Sequence, residues 1–396
     1  MDFNYNAFSP QGMEMYSNNG FSTGMEGMQY GGGQLMNTST NLLQNGIQPS
    51  QYCSQGMSQS NLGVSQYAGG AVTVIPLKYL LGTPSVRPYP NFNPMADANT
   101  LREAMRGIGC DRNSVLRVLC THTNWQRQQI RNAFTQTFGK DLIRELKSEL
   151  SGEFENLIVA LMLAPAEYDA MELNRAMKYI GTRENILIEI MCSRSNSEIH
   201  QIKNAYNQLY SRHLEHDIVG DTSGYFKQFL LTLCTGNRNE TGLMDQMSAQ
   251  QAAHALYRAG EGRLGTNEST FLNILCSQNF LQLNLIFSEY HKLTGHTMEH
   301  AIHGEFSGDI RDALLSLYHI ITNRHAFFAL QFENSMKGMG TRDKDLIRLT
   351  VTRSEIDMIE IKNEYLRMYG RTLEKRIIGD TSGKYRKSLL MLVGGC

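Results

Sequence analysis

The sequence predicts an all-α protein built from four copies of one unit, and three observations carry that expectation. A short glycine loop recurs at residues 105–110, 177–182, 261–266 and 336–341. An acid follows the second glycine of every loop by 40 residues: Gly109 to Glu149, Gly181 to Asp221, Gly265 to Glu305 and Gly340 to Asp380. Between and beyond these points the apolar residues keep one register without a gap. Counting 21 residues past the second glycine gives Ile130, Ile202, Ile286 and Ile361, and 25 gives Phe134, Tyr206, Tyr290 and Tyr365. At 37 stand Leu146, Ile218, Ile302 and Ile377, and at 49 stand Ile158, Leu230, Leu314 and Leu389. Apolar positions three and four apart form the stripe of an amphipathic helix, and nothing alternates in the two-residue period of a strand. Each unit has room for about five short helices, and such units need their neighbours to bury a core.

Taken in order, residues 1–81 are Gly, Asn, Gln, Ser, Met and Tyr with almost no charge: Asp2, Glu14 and Glu26 are the acids and Lys78 the one base. Such a tract cannot bury enough apolar surface to offset its ordering entropy, so it is expected to be a disordered tail. Its spaced Tyr5, Tyr16, Tyr30, Tyr52 and Tyr67, with Phe3, Phe8 and Phe21, resemble self-associating low-complexity segments. Pro84, Pro88, Pro90 and Pro94 mark an extended lead-in, and Asp97 or Thr100 can cap the first helix, which holds Leu101 and Met105. Residues 82–396 form the repeat core, with units at about 90–163, 164–236, 246–320 and 321–396. The second glycines are 72, 84 and 75 residues apart, and the long step holds residues 236–242, a polar, Gly-bounded linker expected to divide the array into two pairs.

Composition excludes several classes. A net charge of −1 with 19% charged residues leaves no basic field to hold nucleic acid or an anionic membrane by itself. Any membrane attraction must then be imported by a metal. No basic segment followed by an apolar one opens the chain, and no run of eighteen apolar residues occurs, so the chain reads as soluble and not secreted by the usual route. Cys120, Cys192 and Cys276 sit 11 residues past their loop glycines where the fourth unit has Val351. A position that accepts Val is a core position, so these are expected to be buried, reduced thiols.

The loop spacing has a chemical reading. A Gly-x-Gly turn can fold its backbone so that carbonyl oxygens converge, and one returning carboxylate completes a set of hard oxygens suited to Ca²⁺. With one charged ligand and few protein oxygens, such a site is weak alone and leaves positions for water or an outside oxygen. The residue between the glycines is apolar throughout, Ile108, Ile180, Leu264 and Met339. Either these side chains fold back into the core or they insert among lipid headgroups.

The Met-Lys-Gly-x-Gly-Thr loop, the Gly-Asp-Thr-Ser-Gly turn at residues 379–383, Ser193-Arg-Ser195 and Thr352-Arg-Ser-Glu-Ile356 resemble annexins from about Gly82 to Cys396. The resemblance implies a curved all-α disc of four five-helix repeats that docks on acidic phospholipid through Ca²⁺. It implies ligands in the first repeat from the carbonyls of Met105, Gly107 and Gly109 with the carboxylate of Glu149. In the third it implies Gly260, Arg263 and Gly265 with Glu305, and in the fourth Met336, Gly338 and Gly340 with Asp380. The second repeat, Met177, Tyr179, Gly181 and Asp221, departs from the pattern because Tyr179 replaces a glycine and penalises any positive φ. Cys110 replaces the loop Thr of the other repeats. Asp169, Glu189, Arg194 and Arg353 match the polar centre of annexins, either an ion path or buried ion pairs that hold repeats together.

The expected function is calcium-dependent binding to acidic phospholipid, with the tail free to self-associate or to capture a protein partner. The alternative is a scaffold whose calcium sites have degenerated. An enzyme is not expected: the paired Asp-Thr-Ser-Gly turns invite comparison with an aspartic protease dyad, but that fold is all-β, and here two repeats carry Glu instead.

Overall fold

The computed structural model describes residues 66–67, 70–71, 82–107, 109–178 and 181–395. The chain divides into two units, residues 1–62 and 63–396, and the fold below is that of the second. The expected disordered tail lies outside the described residues, except for a two-residue ladder in which β1 (Gln66–Tyr67) pairs antiparallel with β2 (Gly70–Ala71).

Each repeat runs as five helices, the first packed most extensively on the third. The first comprises α1 (Pro94–Ala104), α2 (Arg112–Thr121), α3 (Asn124–Phe138), α4 (Leu142–Glu149) and α5 (Gly152–Met162). The second is α6 (Pro165–Met177), α7 (Glu184–Ser193), α8 (Asn196–Tyr210), α9 (Leu214–Asp221) and α10 (Gly224–Cys234). Then follow α11 (Gln246–Ala259), α12 (Glu268–Ser277), α13 (Phe280–Thr294), α14 (Met298–Glu305) and α15 (Gly308–Met336). The last are α16 (Asp343–Arg353), α17 (Met358–Tyr369), α18 (Leu373–Asp380) and α19 (Gly383–Leu392). The long α15 is two helices in one: Asn323 leaves helical geometry at φ −155° and ψ 87°, and its side chain accepts the N–H of Ala326 at 3.0 Å, capping the stretch that opens repeat four.

The register read from the sequence lands in the core. The residues at steps 21, 25, 37 and 49 are all at most 1% exposed in every repeat. Full burial of an aliphatic or aromatic side chain contributes about 1.5–3 kcal/mol, so one repeated register accounts for much of each repeat's cohesion. Cys120, Cys192 and Cys276 are buried thiols outside any disulfide, as the Val351 equivalence implies, and Cys234 is buried likewise. Burial pushes the Cys234 and Cys276 thiols up to about 12, so they stay protonated and inert at neutral pH.

Two expectations need correction. The first helix is capped by neither Asp97 nor Thr100 but by Asn93, whose side chain accepts the N–H groups of Met95 and Ala96 at 3.1 Å each, with Pro94 at the first helical position. A proline there gives up a donor that has no helical partner anyway, which was the available sequence signal. Asp97 instead faces His122 at 3.3 Å. The linker does not divide the array either. Arg238 donates to the carbonyls of Leu275 and Gln278 at 2.8 Å each, and Asn239 N–H donates to Ser277 O at 2.7 Å. The linker thus satisfies carbonyls at the end of α12 and clamps repeat two to repeat three.

The packed pairs are one with four and two with three: α5 lies on α16 and α2 on α19, while α10 lies on α12 and α7 on α15. The lead-in straps the first of these pairs. Ser85 and Val86 N–H groups donate to Ser354 O at 2.9 and 3.0 Å, and Tyr89 N–H donates to Gln126 Oε1 at 2.9 Å. Gly82 is needed for this approach, since a Cβ there would meet Asp357 Cβ at 2.2 Å.

Candidate metal-binding loops

In every repeat the loop joins the first helix to the second, and it is closed by one backbone hydrogen bond. Asp111 N–H donates to Ala104 O at 2.8 Å, Arg183 N–H to Ala176 O at 3.0 Å and Arg342 N–H to Ser335 O at 2.8 Å. In the third, one residue longer, Asn267 N–H donates to Ala259 O at 2.7 Å. The buried side chains of Met105, Met177 and Met336 anchor the helix ends, so that their carbonyls stand among the last, intrahelically unpartnered ones of α1, α6 and α15. Gly107, Gly109, Gly338 and Gly340 take φ of 93°, 85°, 98° and 87°, with nothing within 4 Å of an added Cβ. What demands glycine there is backbone conformation, not space. Gly181 and Gly265 share that geometry at φ 87° and 76°. Tyr179, Ile180 and Ile108 lie outside the described residues.

The acids arrive from the other side. Glu149, Asp221, Glu305 and Asp380 are the last residues of α4, α9, α14 and α18. A hydroxyl ties loop to acid in three repeats: Thr182, Thr266 and Thr341 donate to the backbone carbonyls of Asp221, Glu305 and Asp380 at 3.2, 3.3 and 3.2 Å. Cys110 lacks this hydroxyl in repeat one, where burial and the nearby Glu149 charge push its thiol up. Two helix C-termini therefore meet at each loop, each carrying the negative end of a helix dipole, and both the field and the oxygens suit a cation.

The carboxylates differ in what already holds them. Glu149 is half-buried beside its loop. Asp380 accepts from Arg376 Nη1 at 2.6 Å, an i,i+4 pair on α18. Glu305 accepts the Thr266 hydroxyl, and Gly260 O accepts Arg263 N–H at 3.0 Å. Asp221 is exposed, and burial together with the Asp217 charge raises its carboxyl above the usual range. The ligands expected in repeats one, three and four would offer only carbonyl and carboxylate oxygens, a set that fits Ca²⁺ and disfavours softer metals.

At the tips, Leu264 and Met339 are 101% and 107% exposed, which decides between folding back and pointing outward for these two. Arg263 and Lys337 in the same loops are exposed, as is Arg106 in the first loop, and a hollow of about 420 Å³ lies beside Lys337, Met339, Gly340 and Arg342.

The polar centre is made of ion pairs, some of which join repeats. Arg348 donates from Nε and Nη2 to Glu189 at 3.0 and 2.8 Å and from Nη1 to Asp345 at 2.8 Å. Arg183 donates to Asp345 at 2.8 Å, and Arg127 to Glu355 at 2.7 Å. Of the four residues marked in the sequence, Glu189 bridges repeats two and four. Asp169 with Arg194, at 2.6 Å, and Arg353 with Asp357, at 2.5 Å, stay within their own repeats, which corrects the expectation for those pairs. Arg348 and Asp345 are an i,i+3 pair, but the partners that tie Arg348, Asp345 and Glu355 to other repeats are more than 150 residues away and left no local sequence signal.

These features define a helical-repeat protein in which a glycine loop stands near an acid that ends another helix of the same repeat. The annexin profile matches all four units, at residues 96–161, 168–233, 251–317 and 327–392, and the chain belongs to the annexin family. It is 46% identical over 310 residues to annexin A7 of Homo sapiens, an alignment covering 78% of this chain and 64% of that protein. The chain thus spans less than two thirds of the length of that relative. The solved structure of annexin III is similar with a TM-score of 0.78 at 41% identity, covering 80% of this chain and 98% of the other. A calcium-bound annexin (Sm)1 is similar with a TM-score of 0.74 at 30% identity, covering 79% and 93%.

Proposed function

We propose that this protein binds acidic phospholipid membranes peripherally and reversibly in the presence of Ca²⁺. The observation that carries the reading is the pairing of two helix C-termini at each loop, with Leu264 and Met339 fully exposed at the tips. The carbonyls of Met105, Gly107 and Gly109 with Glu149 would hold one ion, those of Gly260, Arg263 and Gly265 with Glu305 a second, and those of Met336, Gly338 and Gly340 with Asp380 a third. Ca²⁺, when bound, supplies a positive centre that lipid phosphate or carboxylate oxygens can share. The chain's own part is to hold the oxygens in place, to present Arg106, Arg263 and Lys337 to anionic headgroups, and to offer apolar tips to the interface.

Binding rather than catalysis is the reading that membership of the annexin family supports. The likeness to a calcium-bound annexin supports the ion assignment. A cytoplasmic location agrees with buried cysteines that stand outside any disulfide. Residues 1–81 would add self-association or partner capture, and several loops on one core would give multivalent attachment to a bilayer. The second reading, a scaffold with degenerate calcium sites, is favoured by one observation: Arg376 already holds Asp380. Co-sedimentation with phosphatidylserine and phosphatidylcholine vesicles, with Ca²⁺ or chelator, separates the two. Calcium-dependent recovery with the acidic vesicles is expected, and recovery that persists unchanged in chelator, or never appears, overturns the proposal. Deleting residues 1–81 should leave that recovery intact while reducing vesicle clustering.

A further inference from the structure

Apart from the all-oxygen loops, repeat three brings one carboxylate and two imidazoles together. Glu261, His296 and His300 each offer a ligand atom, and these atoms all lie within 4.8 Å of one another. Glu261 Oε1 and His296 Nδ1 are 3.0 Å apart, and the two imidazole rings have centroids 4.6 Å apart at 45°. The backbone beneath them is anchored: Thr294 accepts His296 N–H at 3.0 Å, and Thr297, the cap of α14, accepts His300 N–H at 3.1 Å.

The carboxylate is also oriented from behind. Tyr290, one of the fully buried register residues, donates its hydroxyl to Glu261 Oε2 at 2.7 Å. This leaves Oε1 toward the imidazoles. Such outer hydrogen bonds are what fix a ligand's direction in metal sites.

We propose that Glu261, His296 and His300 form a site for a divalent transition metal of the Zn²⁺ class. Imidazole nitrogen with one carboxylate suits Zn²⁺, whereas Ca²⁺ takes six to eight oxygens and gains little from nitrogen. Two ligands at about 2.0–2.1 Å from one metal are about 2.9 Å apart on an octahedral edge and about 3.3 Å on a tetrahedral one. The 3.0 Å between Glu261 and His296 falls between those values. Both imidazoles are exposed, so His300 can rotate to complete the set, and a fourth position stays open to water. The site sits where it touches the third loop twice: Glu261 is part of that loop, and α14 carries His300 near its start and Glu305 at its end. A metal there ties the loop to the helix that supplies its acid.

The test is calorimetric titration of Zn²⁺ into the full chain, stripped of metal and then held in excess Ca²⁺. The expected result is one Zn²⁺ that Ca²⁺ does not displace, with affinity weakened at least about tenfold in each of His296→Ala, His300→Ala and Glu261→Gln. His303→Ala, exposed on the same helix, should leave the affinity unchanged. As a measurement that needs no variant, Co²⁺ should broaden the His296 and His300 ring resonances ahead of those of the other histidines. Zn²⁺ binding unaltered in the His296→Ala/His300→Ala protein, absent from the wild type, or displaced by Ca²⁺ overturns the proposal. An undisturbed His296–Glu261 ion pair, with Co²⁺ broadening elsewhere, does so equally.

Discussion

Replacing Arg348 by Met should cost about 3–5 kcal/mol, although no ligand touches it, because it takes one partner from a buried ionic cluster and leaves the other charged. The Arg348 side chain is 1% exposed, and Glu189 and Glu172 beside it are 1% and 0% exposed. The loss is not spread evenly. Asp345 keeps Arg183 at 2.8 Å, and Glu172 keeps Arg175 at 2.5 Å, whereas Arg348 is the cation that Glu189 pairs with. Glu189→Met in the Arg348→Met background should therefore restore most of the stability, since replacing a whole buried pair by apolar side chains is often neutral. Urea denaturation in chelator, with the two single variants and the double, gives the coupling directly, and the single Arg348 variant should melt at least about 6 °C lower. A loss under about 1 kcal/mol, or no recovery in the double variant, would refute the claim that this cluster joins repeats two and four. The acid limb follows from the same contacts. Burial raises the Asp345 carboxyl, but the guanidiniums of Arg348, Arg183 and Arg342 outweigh it and hold the group below its ordinary range. Its contribution is present above the unfolded value, about 3.9, and is lost as pH falls through the folded one. Stability against pH should thus fall less steeply below about pH 4 in the Arg348 variant.

Four other outcomes are expected. Glu149→Ala and Asp380→Ala should each weaken calcium-dependent vesicle binding roughly tenfold and more than Asp221→Ala, because Gly107 and Gly338 reach φ of 93° and 98° where repeat two has Tyr179; Asp221→Ala proving the worst would reverse that ranking. Cys110→Thr should restore the hydroxyl tie seen in the other three repeats and, at about 1 kcal/mol for one hydrogen bond, lower the calcium needed by loop one about fivefold in a vesicle titration. Leu264→Ser with Met339→Ser should reduce vesicle affinity by about 1–2 kcal/mol without changing the melting temperature, as both side chains touch only solvent in the free protein. Ser211→Gly should stabilise the fold by about 0.5–1 kcal/mol in thermal melts, since Ser211 ends α8 at φ 52° where Gly139, Gly295 and Gly370 end the equivalent helices.

The sequence by itself determined the helical class, the four-fold register and the place of each loop and acid. These rest on local and periodic constraints: a buried helix stripe must recur every three or four residues, and a left-handed turn must carry glycine, so both leave marks at fixed spacing. Even the core was legible, from Ile130 to Leu389, because equivalent positions in four repeats face equivalent surroundings. Tertiary structure alone decided which repeats pack together. The 236–242 segment reads as a polar divider, yet Arg238 turns it into a clamp, and only the folded chain brings the α12 carbonyls within its reach. It also decided the partners of Glu189 and Asp345, the Tyr290 hydroxyl on Glu261, and the meeting of Glu261 with His296 and His300. Side-chain partners dozens to more than a hundred residues apart are set by how rigid helices stack, and that stacking is a property of the whole core rather than of any one stretch.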